Sequence, residues 1–189
     1  RRMRELTPAA LASSHAVLGA PNAVTMGPKA AAAAAAKNGS ANAASVFKHS
    51  PAWLGGELFP YQLAGLNWLY SSYKDGRGVI LADEMGLGKT VQALALLEAI
   101  HQLDGGPRAG PHLVVVPKST IGNWFREARL WAPGLVVSMY TGYQADRSVI
   151  RDTEWYVTDI DTGRPVTVPS SSAHGRAGKL VAIDVLLVS

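Results

Sequence analysis

The 189 residues suffice for one ordinary domain with some tail and hardly for two. The absence of cysteine excludes a disulfide framework and a cysteine-ligated zinc site, the five histidines are scattered, and no apolar run reaches the roughly 20 residues of a membrane-spanning helix. The formal net charge of +4 belongs to the first 50 residues, where Arg1, Arg2, Arg4, Lys29, Lys37 and Lys48 face one acid, Glu5; the rest holds twelve basic and thirteen acidic side chains, so bulk charge alone does not argue for a nucleic-acid partner.

Residues 1–50 are of low complexity. Seven consecutive alanines, Ala30 to Ala36, lie between Lys29 and Lys37, and much of the 48% hydrophobic content is alanine of this kind. Alanine favours helix but buries too little surface to hold a domain, so a disordered linker with at most a transient helix is expected. A packed core is expected from Pro51 onward. The chain starts at Arg1 and stops at Ser189 within an apolar run, Val185 to Val188, so both ends are expected to be cuts in a longer protein.

From Pro51 the pattern changes. Pro60 to Tyr73 sets Leu63, Leu66, Leu69, Tyr70 and Tyr73 on one helical face, and Asp75-Gly76 ends it. Val79 to Ala82 suits a short buried strand. A glycine-bearing turn follows, then a helix over Thr90–Leu103 with Val91, Leu94, Leu97 and Ile100 turned inward, closed by Gly105-Gly106-Pro107. His112–Val116 is the next strand. Ser119 is a plausible N-cap for a helix over Thr120–Trp131, which Pro133 stops.

A strand over Leu135–Tyr140, a helix over Ala145–Trp155 and a strand over Asp184–Ser189 continue the alternation. Such alternation predicts an α/β fold, a parallel sheet with helices on both faces, which binds ligands at the carboxyl ends of its strands. Tyr156 to Leu180 interrupts the rhythm. It reads as an inserted loop without chemistry, in which Val157-Thr158 and Val166 to Val168 pair as a surface hairpin.

The chemistry concentrates at Asp83-Glu84-Met85-Gly86-Leu87-Gly88-Lys89-Thr90, where a strand ends and a helix begins. That is the setting of a phosphate-binding loop. Gly86 and Gly88 let the main chain curl so that N–H groups point at phosphate oxygens, and the helix N-terminus adds a favourable dipole. Lys89 would reach the β and γ phosphates of ATP, and the Thr90 hydroxyl would sit on Mg²⁺. Asp83 stands where the generic pattern has glycine.

The run Ile80 to Thr90, with that aspartate, resembles the loop of the SWI/SNF-type helicase-like chromatin-remodelling ATPases. Leu58 to Leu63 followed by Gly65 to Leu69 is similar to the segment preceding the loop in that family. The resemblance implies that Gln62 reads the adenine edge. Leu113 to Thr120, with Asn123-Trp124, resembles the family's DNA-tracking motif, which implies phosphate contacts from Lys118, Ser119 and Thr120. Their chemistry suits the role, since a lysine and a helix N-terminus offer charge and N–H groups.

Within the family the sequence is most similar to the chromodomain-helicase-DNA-binding subgroup. The likeness runs through Ser50 to Leu58, Trp131 to Pro133, Val137 to Gly142 and Asp184 to Ser189, and overall covers about residues 50–155 and 180–189. It implies the front part of a first RecA-like P-loop lobe, a nuclear location, and a parent that moves along double-stranded DNA and remodels nucleosomes with a second lobe. The parent would be a DNA-dependent ATPase. Hydrolysis also needs a downstream acidic motif and arginine fingers, so these residues alone are expected to bind ATP weakly and turn over essentially none. Two other readings stay open: a repair or transcription translocase with the same engine, and a non-catalytic ATP-binding scaffold.

Overall fold

The computed structural model describes residues 45–105, 111–162, 164–168 and 178–189, with two short strands at 4–5 and 24–26. The alanine run lies outside them. The elements in chain order are β1 (Arg4–Glu5), β2 (Val24–Met26), α1 (Pro60–Lys74), β3 (Val79–Leu81), α2 (Lys89–Ala99), β4 (His112–Val115), α3 (Ile121–Trp131), β5 (Val137–Tyr140), α4 (Gln144–Thr153), β6 (Thr167–Val168), β7 (Gly178–Val181) and β8 (Val185–Val188).

The last strand lies in the middle of the main sheet. β8 pairs in parallel with β4 on one side and β5 on the other. Asp184 sets this register at the strand's start: its N–H donates to the Val136 carbonyl at 2.7 Å, and its Oδ2 accepts the Val136 N–H at 2.8 Å. Residues paired across parallel strands share a face. Val114, Leu187 and Met139 therefore form one row and His112, Val185 and Val137 the next.

This face carries one of two cores. Val185 and Leu187, both 0% exposed, pack with Leu94 of α2 and with Ile121, Ala128 and Ala132 of α3 and its end. On the opposite face Ser138 donates to Glu154 Oε2 at 2.8 Å and Tyr140 meets the Trp155 ring at 5.0 Å, just after α4. Helices thus flank both faces, as the alternation predicts. Over β4 that second face is open, leaving Leu113 and Val115 exposed.

α1 and α2 build the second core from Leu66, Tyr70, Val91, Ala95, Ala99 and Ile100. Packing reaches back beyond Pro51, because Phe47 joins this core and meets Trp53 and Tyr70 edge-on. The segment then passes the end of α3, where Gly55 N–H donates to the Trp131 carbonyl. A Cβ on Gly55 would lie 1.6 Å from the Leu130 carbonyl oxygen, so only glycine fits that crossing.

Three expectations change. The helix after the loop does not run regularly to Leu103: α2 ends at Ala99 and a π-helical segment, Ile100–Gly105, takes over. There Asp104 accepts from Tyr70 Oη at 3.0 Å and pairs with Lys74, while His101 Nδ1 lies 3.4 Å from Asp184 Oδ1. Burial and then the Asp104 bond push the Tyr70 phenol up to about 12. β3 is not a buried strand: it pairs in parallel with β2, apart from the main sheet, and Ile80 is half exposed. Ser119 is not the cap of α3. Thr120 holds that position, and its hydroxyl donates to the Pro117 carbonyl instead of capping.

The hairpin expected within 156–180 forms: Val166 N–H donates to the Val157 carbonyl at 2.8 Å and Thr158 bridges Pro165. Its turn is held by Asp159, whose Oδ1 accepts the N–H groups of Asp161 and Thr162. Those bonds hold its carboxyl below the usual range. The Thr167–Val168 strand extends the ribbon to Gly178 and Lys179.

Candidate functional site

The loop from Asp83 to Gly88 joins β3 to α2 in two tight bends. Gly86 and Gly88 have φ of 85° and 74°, the left-handed region that costs glycine nothing and other residues much. Among the described residues only glycines take positive φ. Gly88 is also the N-cap of α2, so it brings no side-chain acceptor to the first-turn N–H groups. An eleven-residue helix aims its dipole at this bend.

Lys89, the first helical residue, folds over the loop. Its Nζ donates to the Asp83 and Glu84 carbonyls, each at 2.8 Å. Thr90 is half-buried beside it, and Met85 projects from the loop at 96% exposure. Space is open above Gly86, where a Cβ would meet nothing within 4 Å. Open space, curled main chain, a lysine and a helix start together fit a bound triphosphate; Lys89 and the loop amides could hold its phosphates and Thr90 its magnesium.

Gln62 is brought to this loop although 25 residues separate it from Leu87. It is 5% exposed, whereas an isolated glutamine on a helix would ordinarily face solvent. Its Oε1 accepts the Phe59 N–H at 3.0 Å, closing the start of α1, and its Nε2 donates to the Leu87 carbonyl at 3.3 Å. The loop's end is close enough that a Cβ on Gly88 would stand 2.5 Å from Gln62 Nε2. Phe59 and Tyr61 stack beside it, ring centroids 5.8 Å apart.

Lys118, Ser119 and Thr120 form an exposed turn at the carboxyl end of β4 and the start of α3. That is the end at which a parallel sheet presents ligands. α3 continues with Asn123, Arg126 and Glu127, linked by side-chain hydrogen bonds on its exposed surface.

Two residues near the loop escaped the sequence reading. Gln92 is 0% exposed and its Nε2 donates to Asp83 Oδ2 at 2.8 Å; Gly65 of α1 makes room for it. A signal existed, because Gln92 lies on the helical stripe of the buried Ala95 and Ala99.

Comparison with known proteins identifies the family. A family model described as the SNF2-related domain matches residues 61–168, more than half of the chain. The CHD3-type chromatin-remodeling factor PICKLE of Arabidopsis thaliana is 44% identical over 147 residues, which cover 76% of this chain and 10% of that protein. The human SWI/SNF-related matrix-associated actin-dependent regulator of chromatin subfamily A containing DEAD/H box 1 is 55% identical over 94 residues, 50% of this chain and 9% of that protein. The chain thus spans a tenth or less of the length of these relatives.

Among solved structures, the Sulfolobus solfataricus SWI2/SNF2 ATPase core in complex with dsDNA matches with a TM-score of 0.51 and 29% identity, over 73% of this chain and 22% of that one. The parallel sheet with flanking helices is therefore that of the SWI2/SNF2 ATPase core, and the chain belongs to the SNF2-related family.

Proposed function

We propose that this chain is the ATP-binding front of a DNA-dependent ATPase that remodels chromatin. The observation that carries the reading is the loop itself: two left-handed glycines at a strand-to-helix junction, with Lys89 folded back onto the Asp83 and Glu84 carbonyls. Family membership supports it. So does the solved relative, a SWI2/SNF2 ATPase core in complex with double-stranded DNA.

In this reading Asp83, Glu84, Met85, Gly86, Leu87 and Gly88 wrap the phosphates, Lys89 neutralises charge at the β and γ positions, and Thr90 holds magnesium. Gln62 takes the adenine edge, exchanging its bond to Leu87 for one to the base. Lys118, Ser119 and Thr120 lie along a DNA phosphate backbone, where contacts set position rather than sequence preference. Bound Mg²⁺-ATP supplies the energy of phosphoryl transfer. A second lobe, nucleosomes as cargo and a nuclear location complete the proposal, resting on relatives named as chromatin-remodelling proteins.

These residues by themselves are proposed to turn over no ATP, since this chemistry also draws on an acidic motif and on arginine fingers, worth about 10³ to 10⁵ in rate. The test is Lys89→Ala in the full-length parent. ATPase activity should vanish while affinity for duplex DNA stays near the wild-type value. Surviving turnover would refute the loop assignment.

A further inference from the structure

The beginning of the loop is held from beneath by a buried side-chain contact. Asp83, the first loop residue, is 9% exposed, and Gln92, one turn into α2, is 0% exposed. A carboxylate taken out of water needs a hydrogen-bond donor, and here that donor is Gln92 Nε2, 2.8 Å from Asp83 Oδ2. The Asp83 carbonyl in turn accepts from Lys89 Nζ at 2.8 Å. The Gln92 bond and the Lys89 bond thus act on the same residue, one on its side chain and one on its carbonyl.

The contact has a third member. Gln92 sits where residue 65 on α1 lacks a side chain: a Cβ there would stand 2.0 Å from Gln92 Oε1, so the amide would have to move. Glycine inside a helix is unfavourable relative to alanine, and the seat for Gln92 is what that cost accompanies. The loop is thus held twice, at its end by Gln62 of α1 through Leu87, and at its beginning by Gln92 of α2 through Asp83.

We propose that Gln92 is a positioning residue of the nucleotide site, setting the Lys89 ammonium through Asp83 and seated by Gly65. The proposal rests on the nucleotide reading above and adds to it a residue that acts from outside the ligand's reach. Removing the donor frees the Asp83 carboxylate to turn toward water and takes the Lys89 anchor with it. Misplacement by 1 Å costs about 10²-fold in rate.

The experiment compares the full-length parent with Gln92→Glu, Gln92→Glu combined with Asp83→Asn, and Gly65→Ala. Each is read by titration with fluorescent ATP and magnesium, by DNA-stimulated turnover, by duplex-DNA affinity and by thermal melting. Gln92→Glu sets two carboxylates face to face, so ATP affinity should drop at least about tenfold and turnover by about 10²-fold, with DNA affinity and cooperative melting kept. Adding Asp83→Asn supplies an amide donor to the new carboxylate and should restore most of the loss; a fall in ATP affinity while melting is kept is what a purely structural role would not predict. Gly65→Ala should lower ATP affinity in the same way, and it decides the matter if Gln92→Glu fails to melt cooperatively. Wild-type ATP affinity in Gln92→Glu or Gly65→Ala, or a loss that Asp83→Asn leaves in place, overturns the positioning role alone. No nucleotide uptake by the wild-type parent overturns it together with the proposed function.

Discussion

Asn67 grips the peptide of Phe47 from both sides: its Oδ1 accepts the Phe47 N–H at 2.9 Å, and its Nδ2 donates to the Phe47 carbonyl at the same distance. One side-chain amide thereby does for an irregular segment what a neighbouring strand does in a sheet. It lets Phe47 bury its ring against Tyr70 without leaving its own main chain unpaired.

Asn67→Ala should destabilise the fold by about 1–3 kcal/mol, the cost of leaving partly buried polar groups unpaired. Asn67→Asp keeps the acceptor but sets a carboxylate against the Phe47 and Leu63 carbonyls that now receive the amide. It should be destabilising as well. Denaturant melts of the two variants check this, and a midpoint within error of the wild type in both would remove Asn67 from the account.

Gln62 serves two tasks that substitution separates. Gln62→Ala removes both the bond that starts α1 and the bond to Leu87, and should cost about 1–2 kcal/mol of stability. Gln62→Glu keeps the acceptor for Phe59 and should cost less. Both should narrow the preference of the full-length parent for ATP over GTP, measured by competition against fluorescent ATP. An undiminished preference in both variants would end the adenine assignment while leaving the loop assignment intact.

Glu98 gives the fold a pH dependence. It is 0% exposed on α2; Oε1 accepts from Gln102 Nε2 at 2.7 Å, and Oε2 has no hydrogen-bond partner among the described residues. Burial holds its carboxyl above the usual glutamate range, against the bonds from Gln102, Gly134 and Leu135 that act the other way. The native state therefore keeps a proton that the unfolded chain has released. Above the unfolded value, stability falls as pH rises until the folded value is passed. Glu98→Gln should remove that slope and raise stability near pH 7 by about 1–3 kcal/mol, with little change near pH 4. Melting the pair across pH 4 to 8 checks it; parallel curves would show that Glu98 does not ionise differently on folding.

Much of the chain could be read without coordinates, because its information is local. The stripe of Leu66, Leu69 and Tyr70 marks α1, the apolar runs mark β4, β5 and β8, and the alternation of strand with helix implies a parallel sheet. The loop could be read for the same reason: glycine, lysine and threonine at fixed spacing constrain a short piece of main chain wherever it occurs.

The sequence by itself therefore determined the family, the alternation of elements and where the candidate phosphate loop lies. Tertiary structure alone decided what depends on partners distant in the chain. It placed β8 between β4 and β5, left Ile80 half exposed on a strand set apart from the main sheet, and turned the end of α2 into a π segment that brings Asp104 to Tyr70 and His101 to Asp184. It also set Gln92 beneath Asp83 in the space left by Gly65. Local propensity and periodicity act over a few residues, whereas burial of a polar group is settled by whichever donor or acceptor the packed fold brings within about 3 Å.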